Sequence, residues 1–174
     1  SLIKNKKFCF WLEKNYKNIM NLKQKYIVKA IFESIKIKSH IVQKDENENL
    51  LSRNSRALLN FGHTVGHALE AINGYKNNLT HGEAVSIGMV YASKISSNLK
   101  FISERKAKNI RDHLLKIGLP VKAKSIKVEK LLKFIIRDKK NDKNQIKLVL
   151  LKDVGHAFIS KNYNMQQMRK ILRN

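Results

Sequence analysis

The chain has 174 residues, 43% of them hydrophobic, enough for one domain with a real core, and Lys or Asn interrupts every apolar stretch well before a membrane span could form. A single cysteine, Cys9, excludes an internal disulfide and a cysteine-rich zinc site, and the opening residues lack the unbroken apolar stretch of a signal peptide; a cytoplasmic setting is expected. The formal charge of +23 would suit a polyanion, but Lys supplies 29 of the 36 basic residues, scattered from Lys4 to Lys170. The arginine forks and aromatic platforms that read nucleic acid are missing, which argues against that role and leaves a phosphorylated substrate as the better beneficiary of the field.

In chain order, Phe8 to Met20 reads as a helix with Phe8, Trp11, Leu12 and Tyr16 on one face. A longer helix runs from Leu22 to about Lys44, with Tyr26, Ile27, Ala30, Ile31, Ile35 and Ile41 as its apolar stripe. The polar stretch from Asp45 to Asn54 reads as a loop. A helix from Ser55 to Ile72 follows, stopped by Asn73-Gly74. Residues from Gly82 to Leu99 are nearly all apolar or small, so that helix should be buried on most sides. Ser103 to Ile117 is amphipathic and ends at Gly118-Leu119-Pro120; Val128 to Arg137 is a shorter helix. Ile146 to Leu151 and Ala157 to Ser160 should pair as a hairpin about Asp153-Val154-Gly155, and Met165 to Leu172 closes the chain as a helix. The expected fold is one mainly α, multi-helix domain over residues 1–174 with a short β-hairpin near the C-terminus.

Chemistry concentrates between residues 56 and 83. Arg56, Asn60, His63 and His67 are spaced to share one stripe of a helix whose other faces carry Leu58, Leu59, Val65, Leu69 and Ile72. Such a strip lines a polar cavity or faces solvent; a lone His would more often face solvent, but four functional groups in register favour the cavity. Gly62 and Gly66 also have a purely structural reading, as small residues that let a neighbouring helix come close. His63 and His67 alone are a weak metal signal, because Thr64 stands where the zincin pattern needs Glu. Thr80 and Glu83 have the spacing of a capping box, which is sufficient reason for both and places His81 in a first helical turn. There the helix dipole favours the neutral imidazole, the form that binds metal. If a loop brings His81 beside His63, the two plus a carboxylate and an open position would make a catalytic zinc site.

At this point the residues resemble the 3-dehydroquinate synthase family. The run from Arg56 to Ala71 (RALLNFGHTVGHALEA) is similar to the family signature almost residue for residue, and Thr80 to Val90 (THGEAVSIGMV) to its next block. Arg137-Asp138-Lys139-Lys140 resembles a later block, and Phe8 to Glu13 (FCFWLE) the opening of the family's C-terminal helical domain. The resemblance implies a zinc- and NAD-dependent lyase of the shikimate pathway, converting 3-deoxy-D-arabino-heptulosonate 7-phosphate to 3-dehydroquinate with loss of phosphate. Zinc, or another divalent ion such as cobalt, would be held by His63 and His81. His67 would be catalytic, contacting substrate or relaying a proton, while Lys38, Arg56, Asn60 and one of Lys139 and Lys140 would bind substrate. The family's third zinc ligand, a Glu just upstream of the segment aligned with Ser1, and its N-terminal NAD-binding domain are not in these residues. The isolated chain should therefore bind zinc poorly and be inactive, and the full-length protein should be a homodimer. Two rivals stand beside this reading: a related sugar-phosphate cyclase, and an inactive basic protein that keeps the fold and binds polyanions in a salt-sensitive way.

Overall fold

The computed structural model describes residues 1–50, 54–74, 79–123, 126, 128–140, 147–161 and 165–173, with all their side chains except those of 137–140, 165, 167, 172 and 173. The described elements run α1 (Lys6–Met20), α2 (Gln24–Lys44), a 3-10 turn (Arg56–Asn60), α3 (His63–Ile72), α4 (His81–Asn98), α5 (Glu104–Lys116), α6 (Val128–Lys140), β1 (Leu148–Asp153), β2 (His156–Ser160) and α7 (Met165–Arg173). The fold is thus mainly α with an antiparallel hairpin near the C-terminus, as the patterning predicts. No described helix is long and apolar enough to cross a membrane.

Local chemistry explains the boundaries. Asn5 caps α1 by accepting a hydrogen bond from the Phe8 amide at 2.9 Å, and Ser103 caps α5 through the Lys106 amide at 3.3 Å. Leu22, expected to begin α2, instead takes a left-handed φ of 56°, and the helix starts two residues later. Around α1, Trp11 stacks between Phe8 and Tyr26, and Lys29 Nζ sits 4.7 Å from the Trp11 ring centre.

The buried centre of the domain is α4, against which α3, α5, α7 and β1 pack. Its small and hydroxyl-bearing residues make this possible. Ser96 Oγ donates to the Ala92 carbonyl at 2.7 Å and accepts from the Leu151 amide at 3.0 Å, fastening the helix to β1. Ser86 Oγ donates to the Pro120 carbonyl at 2.9 Å. Each bond satisfies a group that would be costly to bury alone. The hairpin pairs Leu148 with Ser160, Val149 with Ile159, Leu150 with Phe158 and Leu151 with Ala157, and its register shifts before Asp153. At that turn Asp153 accepts from Lys106 at 2.7 Å and Lys6 at 3.2 Å; with the Lys106 contact foremost, its carboxyl is lowered to about 2.

Two larger expectations also fail. The helix predicted over Ser55–Ile72 is broken: Ser55 caps the 3-10 turn through the Ala57 amide, and Gly62 then adopts φ 86°, so that α3 begins only at His63. The cause is tertiary. A side chain at Gly62 would meet the Met89 nitrogen at 2.7 Å and the Val85 oxygen at 2.8 Å, so the chain turns as it passes beneath α4. Arg56, Asn60, His63 and His67 therefore do not share one helical stripe. The structural reading of Gly62 and Gly66 is the observed one, since a side chain at Gly66 would likewise press on Val85 at 3.3 Å.

The second failure is the apolar stripe of α2. Tyr26, Ile27 and Ala30 are half-buried and Ile41 is buried, but Ile31 and Ile35 are exposed together with Val28 and Phe32. This helix carries two apolar faces, and periodicity merged them.

Cys9 is half-buried, and beside it a cavity of about 810 Å³ opens between α1, α5 and the hairpin turn. His113 lines that cavity, edge-on to Tyr16, with Nδ1 buried and unpartnered among the described residues. Burial, chiefly, holds its pKa below the ordinary 6.5. Its neutral form is thus favoured in the folded state, and the unfolded chain takes up the proton first as pH falls. The contribution of His113 to stability is present above about pH 6.5 and declines below it, levelling off under the lowered folded value. Thermal unfolding across this window should show His113→Phe losing less stability than the wild type on acidification.

Candidate metal centre

Three imidazoles meet where α3 and α4 begin. Gly62 turns the chain into α3 and sets His63 and His67 one turn apart, with ring centres at 5.4 Å. The capping box is formed as expected: Thr80 Oγ1 accepts from the Glu83 amide, and Glu83 Oε2 accepts from the Thr80 amide at 2.8 Å. It fixes the start of α4 and brings the His81 ring to 5.3 Å from His63 and 6.1 Å from His67. His63 is half-buried, while His67 and His81 are exposed.

Glu70 completes the cluster. Its Oε1 lies 3.0 Å from His81 Nδ1, and its side chain is only 15% exposed. Donation from Nδ1–H to this carboxylate leaves the lone pair on His81 Nε2, the arrangement usual for metal-binding histidines. His63 Nδ1 faces the Phe61 carbonyl at 3.4 Å, a long contact that orients its ring similarly. Burial, followed by the like-charged neighbours His67 and His81, pushes the His63 pKa down against the pull of the Phe61 carbonyl and Glu70. A neutral imidazole is the ligand form. One donor atom each from His67, Glu70 and His81 lies within 4.8 Å of the others, a spacing that a single divalent ion could gather. Nitrogen and carboxylate donors of this kind suit zinc or cobalt.

Glu70 is not among the residues that the sequence motifs single out as candidates. Its signal was available: 63, 67 and 70 fall on one strip of a helix, and Glu83, the rival carboxylate, is occupied in the capping box.

The remaining predicted residues lie on other elements. Arg56 and Asn60 sit exposed on the 3-10 turn and lean toward the preceding loop, Arg56 donating to the Glu46 carbonyl at 2.8 Å and Asn60 to Glu48 Oε1 at 3.4 Å. Lys38 is exposed on α2. The side chains of Lys139 and Lys140, at the end of α6, lie outside the described residues. His40 and His156 are exposed, in keeping with a surface role.

Residues 1–141 match the family described as 3-dehydroquinate synthase C-terminal. The chain belongs to this family. Similar 3-dehydroquinate synthases include those of Thermodesulfovibrio yellowstonii, 37% identical over 172 residues (98% of this chain, 46% of that protein), and Acinetobacter baumannii strain AYE, 35% identical over 172 residues (99% and 46%). That of Pelagibacter ubique is 38% identical over 177 residues (99% and 47%). The chain spans about half the length of the curated relatives it matches. Among solved structures, 2-epi-5-epi-valiolone synthase from Streptomyces hygroscopicus subsp. jinggangensis, with NAD+ and Zn2+ bound, superposes with a TM-score of 0.86. The match covers 99% of this chain and 47% of that one, and at 18% identity it is a likeness of fold. A 2-deoxy-scyllo-inosose synthase complexed with carbaglucose-6-phosphate, NAD+ and Co2+ is 26% identical at a TM-score of 0.55, over 68% of this chain and 35% of that one.

The chain also contains an organiser outside these motifs. Asp45 is only 5% exposed, and its carboxylate accepts from the Asn49, Leu50 and Arg56 amides at 2.8, 3.1 and 2.8 Å. Burial would raise its pKa, but these amides and Ser55 together hold it below the ordinary 3.8. Its stabilising effect is complete above about pH 3.8 and fades as pH falls through the lowered folded value. Asp45→Asn should lower the melting temperature at neutral pH, and the gap to wild type should close on acidification. An unchanged gap at about pH 3, roughly the lower end of carboxylate titration, would show that the carboxylate charge is not what holds the loop.

Proposed function

We propose that these residues are the metal-holding part of a 3-dehydroquinate synthase acting on 3-deoxy-D-arabino-heptulosonate 7-phosphate in the shikimate pathway. The observation that carries this reading is the convergence of His63, His67, Glu70 and His81, in a chain of this family, at the paired starts of α3 and α4. His63 and His81 would hold a zinc or cobalt ion, as the family resemblance implies, and Glu70, rather than joining His67 and His81 around the ion, would fix the ring of His81 from behind. A bound divalent ion supplies Lewis-acid polarisation of hydroxyl and carbonyl oxygens. His67, exposed beside the pair, is placed to hold or move a proton at the substrate. Arg56, Asn60 and Lys38 would anchor the carboxylate and hydroxyls, and Lys139 or Lys140 the phosphate.

On this reading the third metal ligand and the NAD site belong to a domain outside residues 1–174, so the active site is completed between domains. The isolated chain then turns nothing over, and the complete protein works in the cytoplasm as a homodimer. The test is phosphate release, with NAD and zinc, by a chain extended upstream to the length of its relatives. Activity abolished by His63→Ala and His81→Ala supports the proposal, whereas full activity in both variants would refute the metal assignment. Identification of the carbocyclic product separates a 3-dehydroquinate synthase from the other cyclases that share this fold.

A further inference from the structure

A second, smaller cavity, of about 330 Å³, lies between α4, α5 and α7. Lys94 of α4, Lys108 and Arg111 of α5, and Lys170 of α7 line it, against one carboxylate, Glu104. These cations come from three separate elements and converge on a concavity, unlike the lysines scattered over the outer faces. The apolar part of the lining includes Val90 and Ile171, which are 3% and 6% exposed. None of its residues belongs to the candidate metal centre, and Lys94 lies thirteen residues beyond His81 along α4, about 20 Å of helix.

Lys94 is the anomaly. It is the one lysine of α4, half-buried between Ser93 and Ile95, which are buried. It makes no ion pair among the described residues. Burial, then the cations Lys122 and Arg111, push its pKa down. Arg111 keeps a neighbouring bond to Asp112 at 3.0 Å, but both side chains remain more than a third exposed, so its charge is only partly neutralised. An ammonium group held partly out of water among like charges is unfavourable unless an anion joins it. Lysine and arginine together provide a point charge and a planar fork, the combination suited to a phosphate dianion.

We propose that this cavity binds a small organic phosphate, its phosphate among Lys94, Lys108, Arg111 and Lys170 and its apolar body against Val90 and Ile171. The site is independent of the metal centre and of the catalytic reading above. Calorimetric titration with inorganic phosphate and with phenyl phosphate, at ionic strength matched with chloride, tests it. Phenyl phosphate should bind more tightly than inorganic phosphate. Lys94→Met and Arg111→Met should each weaken it by roughly tenfold or more, with Arg111→Lys between them and wild type. Lys25→Met, on the exposed face of α2, should leave binding unchanged. Should Lys94→Met fail to fold, the surface variant Lys170→Met carries the same expectation. Equal weakening by Lys25→Met would reduce the effect to the diffuse field of a basic protein and overturn the proposal. So would loss of binding in Lys38→Met or Arg56→Met with Lys94→Met unaffected, because the phosphate would then occupy the candidate active site.

Discussion

Gly88→Ala should destabilise the domain by about 3 kcal/mol or more, at the upper end of what overpacking costs. A methyl group at Gly88 would be driven into the Gly62 carbonyl oxygen, with the Gly62 Cα only 3.1 Å away. The obstacle is backbone, which cannot rotate aside as a side chain can. It is also backbone with a task, because Gly62 is the left-handed residue from which α3 starts. Relief of the clash must push α3 away from α4 and separate His63 from His81. Urea unfolding should therefore show the loss of stability, and zinc affinity should fall with it. Gly82→Ala is the matched control: it lies in the first turn of α4 with nothing within 4 Å of the added methyl. There the lower backbone entropy of the unfolded chain should stabilise the fold by up to about 1 kcal/mol. If both alanines behaved alike, the close passage of α3 beneath α4 would not be what holds these helices in register.

Zinc titration of the upstream-extended chain carries the second large effect. His63→Ala and His81→Ala should each reduce affinity by at least about 100-fold, since removal of an orienting partner alone commonly costs 10–100-fold. Glu70→Gln should fall within that lower range. It preserves the size of the side chain and a hydrogen-bonding oxygen but removes the charge that favours His81 Nδ1–H. Circular dichroism of the metal-free variants should be unchanged, because His67 and His81 are exposed and His63 is only half-buried. The ordering is the informative result. If Glu70→Gln abolished binding as fully as His81→Ala, Glu70 would be a direct ligand rather than the group behind one. If neither histidine mattered, the cluster would be a structural contact between two helix starts.

Much of this was legible in the residue order. Capping chemistry is local, so Thr80 and Glu83 announced the start of α4, and the small and apolar run behind them announced its burial. Alternation and a Val154-Gly155 turn announced the hairpin. The runs at 56–71 and 80–90 pointed to the family and to His63 and His81 before any distance was known. Other features depended on contacts between segments far apart in the chain. The break at Gly62 exists because α4 lies across it, which no helical propensity within 55–72 reports. The exposure of Ile31 and Ile35 depends on which face of α2 finds a partner, and periodicity cannot assign that when both faces are apolar. Glu70 gains its meaning from His81, eleven residues later on another helix. Lys94, one lysine among 29, is distinguished by the burial and the neighbouring cations that folding gives it. Sequence by itself determined most of the helices, the Thr80–Glu83 cap and the chemistry available, because those are set by near neighbours. Tertiary structure alone decided which groups share a site, because proximity across α3, α4, α5 and α7 is a property of packing.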